Sequence, residues 1–330
     1  MERTDLPDEQ KRTVKAYGAL SRKRLERIRG EVVRLLAESD RPVAILINSP
    51  GGKIDFLSTF GELLTPSKTR GAKPPIITEV HEQARSSAAY LLILGDYACA
   101  LPSSKLHLHG VKYRSGAKLQ CLAAEEAALM ALRLDRQNRL IAKKMSERIA
   151  ARLAVRQREW ARQIAVPPRD AAKRLHSLVQ FLAARIVAEK NRQLLREVAE
   201  HFQSLYPQWT WMKRPGGGRA GPPVIDQTAS LKKWVAGQFQ EFAAGGGAGD
   251  IVSSLGRLID FAHVHAFASL EFPSGVPVAE SLERQQLQCF AFALSWRLLF
   301  GENALSPEDA YWLGLIDEVT GTALAGTRPA

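Results

Sequence analysis

Cysteines, aromatic residues and long apolar runs are all scarce in this 330-residue sequence. The three cysteines, Cys99, Cys121 and Cys289, are too few and too scattered for a disulfide framework or a CxxC zinc site. That scarcity indicates a reducing compartment. No uncharged apolar stretch reaches the ~20 residues that a membrane-spanning helix needs, and the first ten residues lack the apolar core of a signal peptide. We therefore expect a cytoplasmic protein without membrane contacts.

Acidic residues are also in the minority, with 34 Asp and Glu against 46 Lys and Arg and a net charge of +12. Such a surplus is compatible with nucleic-acid binding. Much of it, however, is spread along the faces of two long predicted helices, and no zinc finger, RNP aromatic pair or KH-type loop accompanies it. A solvated, arginine-rich face is the favoured interpretation, and binding of nucleic acid or an acidic partner is the alternative.

The rest of the composition, 45% hydrophobic and 24% charged, is typical of a globular protein. Residues 13–110 alternate short apolar runs with amphipathic stretches, the pattern of βαβ units. Strands are predicted at 13–17, 43–47, 75–80, 98–101 and 106–109, and helices at 21–39, 56–64 and 88–94. Further helices are predicted at 118–164, 169–206, 231–243, 251–269 and 278–300. The sequence thus predicts an α/β fold combined with a mainly helical region.

Three short segments of the α/β region contain residues that could carry chemistry. In Ser49-Pro-Gly-Gly52, the last glycine can present its N–H to a developing oxyanion, which a side chain would obstruct. Ser86 opens an apolar helix, either as a cap or as a nucleophile whose anionic transition state the helix N-terminus stabilises. The third segment ends in His107 and His109. Each segment alone has an ordinary structural explanation.

In this order, the segments INSPGG (47–52), QARSSAAYLLILG (83–95) and ALPSSKLHLH (100–109) resemble the proteolytic subunit of Clp protease, ClpP. Residues 305–319 are similar to the C-terminal helix and strand of that family. The resemblance implies an α/β fold of the ClpP/crotonase type, built from stacked ββα units. It predicts a discontinuous catalytic core, residues 1–150 and 296–330, interrupted by a basic, mainly α-helical insertion at 151–295.

The resemblance implies a serine peptidase with Ser86 as the nucleophile, because Tyr90-Leu-Leu92 and Gly95 match family positions downstream of the serine. It implies that His109, which closes the LPxSxxxxH segment, is the general base. His107 stays open as an alternative, because residues two apart on a strand share a face. The mechanism implied is acyl transfer followed by hydrolysis.

The resemblance also implies that the backbone N–H groups of Gly52 and Ser87 form the oxyanion hole. Two side chains depart from the family's pattern: Arg85 stands where the family has a small residue, and Ala88 replaces a glycine. The family's triad aspartate corresponds to Glu302, and a glutamate can orient a histidine in some hydrolases. The insertion before Glu302 is the third departure, and it could block ring stacking or bind substrate directly.

For ligands and partners, the resemblance implies peptides or unfolded proteins as substrates and no metal or organic cofactor. It also implies a homo-oligomer, with an AAA+ unfoldase as a further candidate partner. Two other functions stay open. One is a catalytically weak or silent scaffold that binds nucleic acid or an acidic partner through the insertion, and the other is an acyl-CoA enzyme of the crotonase type.

Overall fold

The computed structural model of the protein describes residues 12–52, 75–112, 124–163, 171–205 and 278–324. The strands in these ranges are β1 (Thr13–Tyr17), β2 (Val43–Ser49), β3 (Ile76–Arg85), β4 (Tyr97–Ala100), β5 (Lys105–Leu108), β6 (Asn303–Leu305) and β7 (Glu318–Val319). The helices are α1 (Arg22–Glu38), α2 (Ser87–Leu94), α3 (Ala124–Gln163), α4 (Ala171–Arg185), α5 (Glu189–Leu205), α6 (Val278–Leu299) and α7 (Pro307–Trp312). The helices predicted at 56–64, 231–243 and 251–269 lie outside the described residues.

The seven strands form one sheet. Five of them lie in the order β1-β2-β3-β4-β7, and each neighbouring pair among these five is parallel. Parallel neighbours require a crossover, which α1 supplies between β1 and β2. The Ser21 side chain caps the N-terminus of α1 by accepting a hydrogen bond from the Arg24 N–H. The buried face of α1 consists of Leu25, Ile28, Val32 and Leu35. The predicted α/β fold class, consistent with a ClpP-like fold, is confirmed.

The strand β3 is long because it belongs to two parts of the sheet. Its first half pairs with β4 over Ile77–Val80, and its last residues, Gln83–Arg85, pair with β5. The strand β5 in turn pairs with β6 in the antiparallel direction. The end of β3 therefore carries a branch of the seven-stranded sheet, formed by β5 and β6, and the candidate site lies at this branch.

The helix α2 follows β3 directly, and all eight of its residues, SAAYLLIL, are buried. A helix that is apolar on every side lies inside a protein. The helix α3 packs against it, and the fully buried Arg152 joins the two. The Arg152 Nε donates to Asp317 Oδ2 at 2.8 Å, and the rest of the guanidinium donates to the backbone carbonyls of Ile93, Leu315 and Gly95.

The prediction of one helix over 169–206 is wrong, because two helices, α4 and α5, occupy this stretch. The break falls at residues 186–188, where the Val187 N–H donates to Asp309 Oδ1 at 2.9 Å instead of to a helix carbonyl. The Asn191 side chain donates to the other oxygen of Asp309 at 2.6 Å. A buried carboxylate from far along the chain thus divides the helix.

The long helix α3 continues without interruption through residue 150, so the predicted start of the insertion falls inside a helix. The division into a core and an insertion stays a prediction. None of the helices in the described part of the chain combines the length and the apolar character that a membrane span requires.

Candidate active site

Ser86 occupies the turn between β3 and α2 with φ 54° and ψ −126°. Within the described residues it is the only non-glycine residue with a positive φ. Its N–H donates to the His107 carbonyl at 2.8 Å, and its own carbonyl accepts from the Ala89 N–H at 2.9 Å. Both sides of this strained residue are therefore held by backbone hydrogen bonds. A serine on a strained strand-to-helix turn is also how α/β-hydrolases expose a nucleophile.

Gly51 is the glycine that lies against Ser86. A Cβ atom added to Gly51 would be 2.7 Å from the Ser86 Cβ and 2.4 Å from the Arg85 carbonyl oxygen. Its φ of +89° also favours glycine, and its N–H is taken by the Ser49 Oγ at 3.0 Å. Gly51 was not among the predicted site residues, although the two adjacent glycines after β2 were an available signal.

Gly52, predicted to supply an oxyanion N–H, lies next to Leu20 in an isolated parallel bridge. An added Cβ there would be 2.1 Å from the Leu20 carbonyl oxygen, so packing against Leu20 explains why this residue is glycine. The Leu20 N–H donates to the Gly51 carbonyl at 2.9 Å. Among the described residues no acceptor is found for the Gly52 N–H.

Ser87, the second predicted oxyanion donor, is the first residue of α2 and is buried. The first N–H groups of a helix have no carbonyl partner within that helix. The Ser87 hydroxyl also has no hydrogen-bond partner among the described residues. The N-terminus of α2 thus offers unsatisfied donors directly after Ser86.

His109 directly follows β5, and its Nδ1 lies 2.7 Å from the Gly110 carbonyl oxygen. A carbonyl oxygen only accepts hydrogen bonds, so the Nδ1 of a neutral His109 carries the proton in this contact and Nε2 bears the lone pair. This is the tautomer that a general base using Nε2 requires. A backbone carbonyl therefore orients the imidazole.

The backbone around His109 is held by three helices. The Tyr90 hydroxyl of α2 donates to the His109 carbonyl. The Gly110 N–H donates to the Leu299 carbonyl at the end of α6 at 2.6 Å, and the Val111 N–H donates to Asn138 Oδ1 of α3 at 2.8 Å. Burial raises the pKa of Tyr90 well above its ordinary value, so the hydroxyl stays protonated.

His107 lies beside His109, with 5.9 Å between the ring centroids. Its Nε2 is 3.6 Å from Glu302 Oε2, which is too long for a hydrogen bond. Burial, and then the nearby Arg85 guanidinium, lower the pKa of His107 below its ordinary value. The contacts of the described residues include no hydrogen bond between the Ser86 hydroxyl and either imidazole, although such bonds are often loose until substrate is present.

Glu302 precedes β6, and the antiparallel pairing of Leu108 with Asn303 places it opposite His109. Its exposed side chain forms an ion pair with Lys112 and approaches His107, and its charge also interacts with His109. The hydrogen bond from Lys112 lowers the pKa of the Glu302 carboxyl. The structure therefore brings Glu302 to Lys112 and His107, and its role as the third triad residue stays a prediction.

Three contacts near the site were not predicted from the sequence. They are the hydrogen bond of the Tyr90 hydroxyl, the hydrogen bond accepted by Asn138 and the ion pair of Lys112 with Glu302. A hydroxyl inside an otherwise apolar helix was a usable signal for Tyr90, because a buried tyrosine normally needs a partner. No pattern in the sequence pointed to Lys112. Within the described residues no group of three His, Cys, Asp or Glu side chains is placed to bind a metal ion.

The profile of the Clp protease family matches residues 9–174, half of the 330-residue chain. The chain therefore belongs to the Clp protease family, and it is a ClpP-like peptidase. The matched residues include Ser86 and His109, whereas Glu302 lies outside them. No curated protein matches the chain.

Proposed function

We propose that the protein is a serine endopeptidase with Ser86 as the nucleophile and His109 as the general base. The observation that carries this proposal is the strained backbone of Ser86. Such a conformation costs on the order of 1–3 kcal/mol, and it persists where the surrounding structure imposes it. The position of Ser86 before the free N–H groups of α2 supports a role in which a negative charge develops there.

In the proposed acylation, the Ser86 Oγ forms a bond to the peptide carbonyl carbon while its proton passes to Nε2 of His109. The carbonyl oxygen becomes an oxyanion and accepts hydrogen bonds from the N–H groups of Gly52 and Ser87. The C–N bond then breaks, and His109 returns the proton to the leaving amine. Water attacks the acyl-enzyme, a proton passes through His109 back to Ser86, and the carboxylic acid is released.

The orienting role in this mechanism falls to the Gly110 carbonyl, which holds the proton on Nδ1 of His109. Glu302 contributes a negative charge beside the two histidines, and the ion pair with Lys112 partly neutralises that charge. Ionised carboxylates stabilise a nearby imidazolium. We therefore assign Glu302 a supporting electrostatic role as the third residue of the triad.

We further propose that the substrates are peptides or unfolded chains, that the protein acts in the cytoplasm and that it self-associates. Clp protease family proteins form oligomers and work with AAA+ unfoldases, so an unfoldase is the proposed partner. The side chains of Leu129, Leu132 and Leu140 on α3 are 58%, 44% and 48% exposed. Exposed apolar side chains at helical spacing support contact with a second copy.

Labelling with a fluorophosphonate probe tests the proposed nucleophile, because the probe reacts only with an activated serine. We expect the folded protein to be labelled at Ser86 in peptide mass spectra and Ser86→Ala to remain unlabelled. His109→Ala should slow labelling by at least ~100-fold, since general-base catalysis contributes about that much. His107→Ala should change the rate by no more than about threefold.

Three other results would contradict parts of this proposal. A folded protein without label contradicts the peptidase proposal and favours the silent scaffold. Peptide hydrolysis that survives in Ser86→Ala contradicts the covalent mechanism. Loss of labelling in His107→Ala but not in His109→Ala moves the general base to His107.

Tyr90→Phe is expected to lower the kcat for peptide hydrolysis by roughly tenfold with little change in KM. Loss of the hydroxyl frees the His109 carbonyl and loosens the general base, and small displacements of catalytic groups are costly. The rate of fluorophosphonate labelling should fall by the same factor. The measurement is kcat and KM for a short peptide, together with the labelling rate.

Tyr97→Phe is the matched control for Tyr90→Phe. The Tyr97 side chain also buries a hydroxyl, which donates to Glu318 Oε2 at 2.9 Å between β4 and β7, away from Ser86. This variant should lose about 1–2 kcal/mol of stability with kcat unchanged. Equal kcat losses in the two variants would mean that Tyr90 acts only through general stability.

A further inference from the structure

Arg85 is the last residue of β3, is exposed and directly precedes Ser86. It is the Cα partner of His107 in the parallel pairing of β3 with β5. Side chains of paired residues in a sheet lie on the same face, and residues two apart on a strand also share a face. Arg85, His107 and His109 therefore border the same surface, next to the candidate nucleophile.

The charges on this surface are mainly positive. Arg85 and His107 are paired residues of adjacent strands, and the Arg85 guanidinium is the charged group that most strongly lowers the pKa of His107. Lys105, two residues before His107, is exposed on the same face. Glu302 is the nearby carboxylate, and it forms its ion pair with Lys112. No carboxylate in the described part of the chain forms an ion pair with Arg85.

We propose that Arg85 binds a carboxylate of the substrate beside the scissile bond, so that peptides with Asp or Glu at that position are preferred. The inference rests on the proposed peptidase function of Ser86. Arginine suits this role because its planar guanidinium can donate two parallel hydrogen bonds to one carboxylate and keeps its charge at any working pH. A small residue in this place, as the family has, would offer no such contact.

The size of the preference for an acidic substrate residue depends on the exposure of the Arg85 side chain. Exposed ion pairs are weakened by water and by salt. We therefore expect a preference in kcat/KM of about two- to fivefold for glutamate over glutamine at low ionic strength. It should shrink in 1 M salt, because salt screens exposed charges.

The test uses short quenched fluorescent peptides in matched pairs, with Glu or Gln at each of three positions on either side of the cleaved bond. We expect one position to show the preference in the unmodified protein. Arg85→Gln should abolish the preference and Arg85→Glu should reverse it. Lys23→Glu, an exposed change of equal charge on α1, should leave the preference intact.

Fluorophosphonate labelling of the same variants separates the two proposals, because the probe carries no carboxylate. Labelling of Ser86 in all variants, combined with equal cleavage of the Glu and Gln peptides by the unmodified protein, overturns the Arg85 proposal alone. A glutamate preference that persists in Arg85→Gln also overturns it. Absence of label in the unmodified protein overturns the peptidase function itself.

Discussion

Ser86→Gly is expected to reduce peptide hydrolysis at least a thousandfold and, at the same time, to raise the free energy of unfolding by about 1 kcal/mol. Glycine adopts φ 54° without the steric cost that serine carries there. Relief of that strain, on the order of 1–3 kcal/mol, outweighs the ~0.5–1 kcal/mol by which glycine stabilises the unfolded chain. Urea denaturation and peptide hydrolysis measure the two effects.

Two variants control this experiment. Ser86→Ala removes the hydroxyl but keeps a Cβ, so it should lose activity without the gain in stability. Ser21→Gly changes another serine at a helix N-terminus, where φ is an ordinary −77°. Glycine there should lower stability by a few tenths of a kcal/mol. If Ser86→Gly destabilises the protein as Ser21→Gly does, the backbone of Ser86 is not strained and the main support for the nucleophile is lost.

Gly51→Ala is expected to destabilise the protein by about 3 kcal/mol or more and to slow labelling of Ser86 at least ~100-fold. The added Cβ would meet the Arg85 carbonyl oxygen at 2.4 Å and the Ser86 Cβ at 2.7 Å. The Arg85 backbone cannot withdraw freely, because β3 is paired with β5 at this residue. The nucleophile must then move, and thermal unfolding together with labelling kinetics will measure the result.

Gly321→Ala isolates the conformational part of that cost. Gly321 has φ +78°, close to the +89° of Gly51, but an added Cβ would meet nothing within 4 Å. We expect a loss of about 1 kcal/mol and unchanged labelling. Similar losses for Gly321→Ala and Gly51→Ala would show that Gly51 is needed for its φ alone and not for its approach to Ser86.

The strands and helices described within residues 12–52 and 75–112 were largely predictable from the sequence, because their apolar periodicity is a local property. The exception is β3, which continues to Arg85, five residues beyond the predicted end. The predictions for β1, α1 and α2 agree with the structure to within one residue at each end. The resemblance to ClpP was also readable, because its motifs are short and keep their order along the chain. It is confirmed by the family match over residues 9–174.

The division of residues 169–206 into two helices was not predictable in this way. The local pattern is helical throughout, and the break depends on Asp309, which comes from beyond the region that contains α4 and α5. A hydrogen bond to a distant carboxylate leaves no periodic signal. For the same reason, the sequence did not identify the His109 carbonyl as the acceptor of the Tyr90 hydroxyl.

Residue identity and spacing were enough to predict the family, the α/β class and a candidate site bordered by a serine and two histidines. The strained backbone of Ser86, the close approach of Gly51 to it and the ion pair of Glu302 with Lys112 became visible in the folded structure. Each of these results from the packing of segments far apart in the chain. Spacing along the sequence indicates the face of a strand or helix on which a side chain lies, but not which distant segment it contacts there.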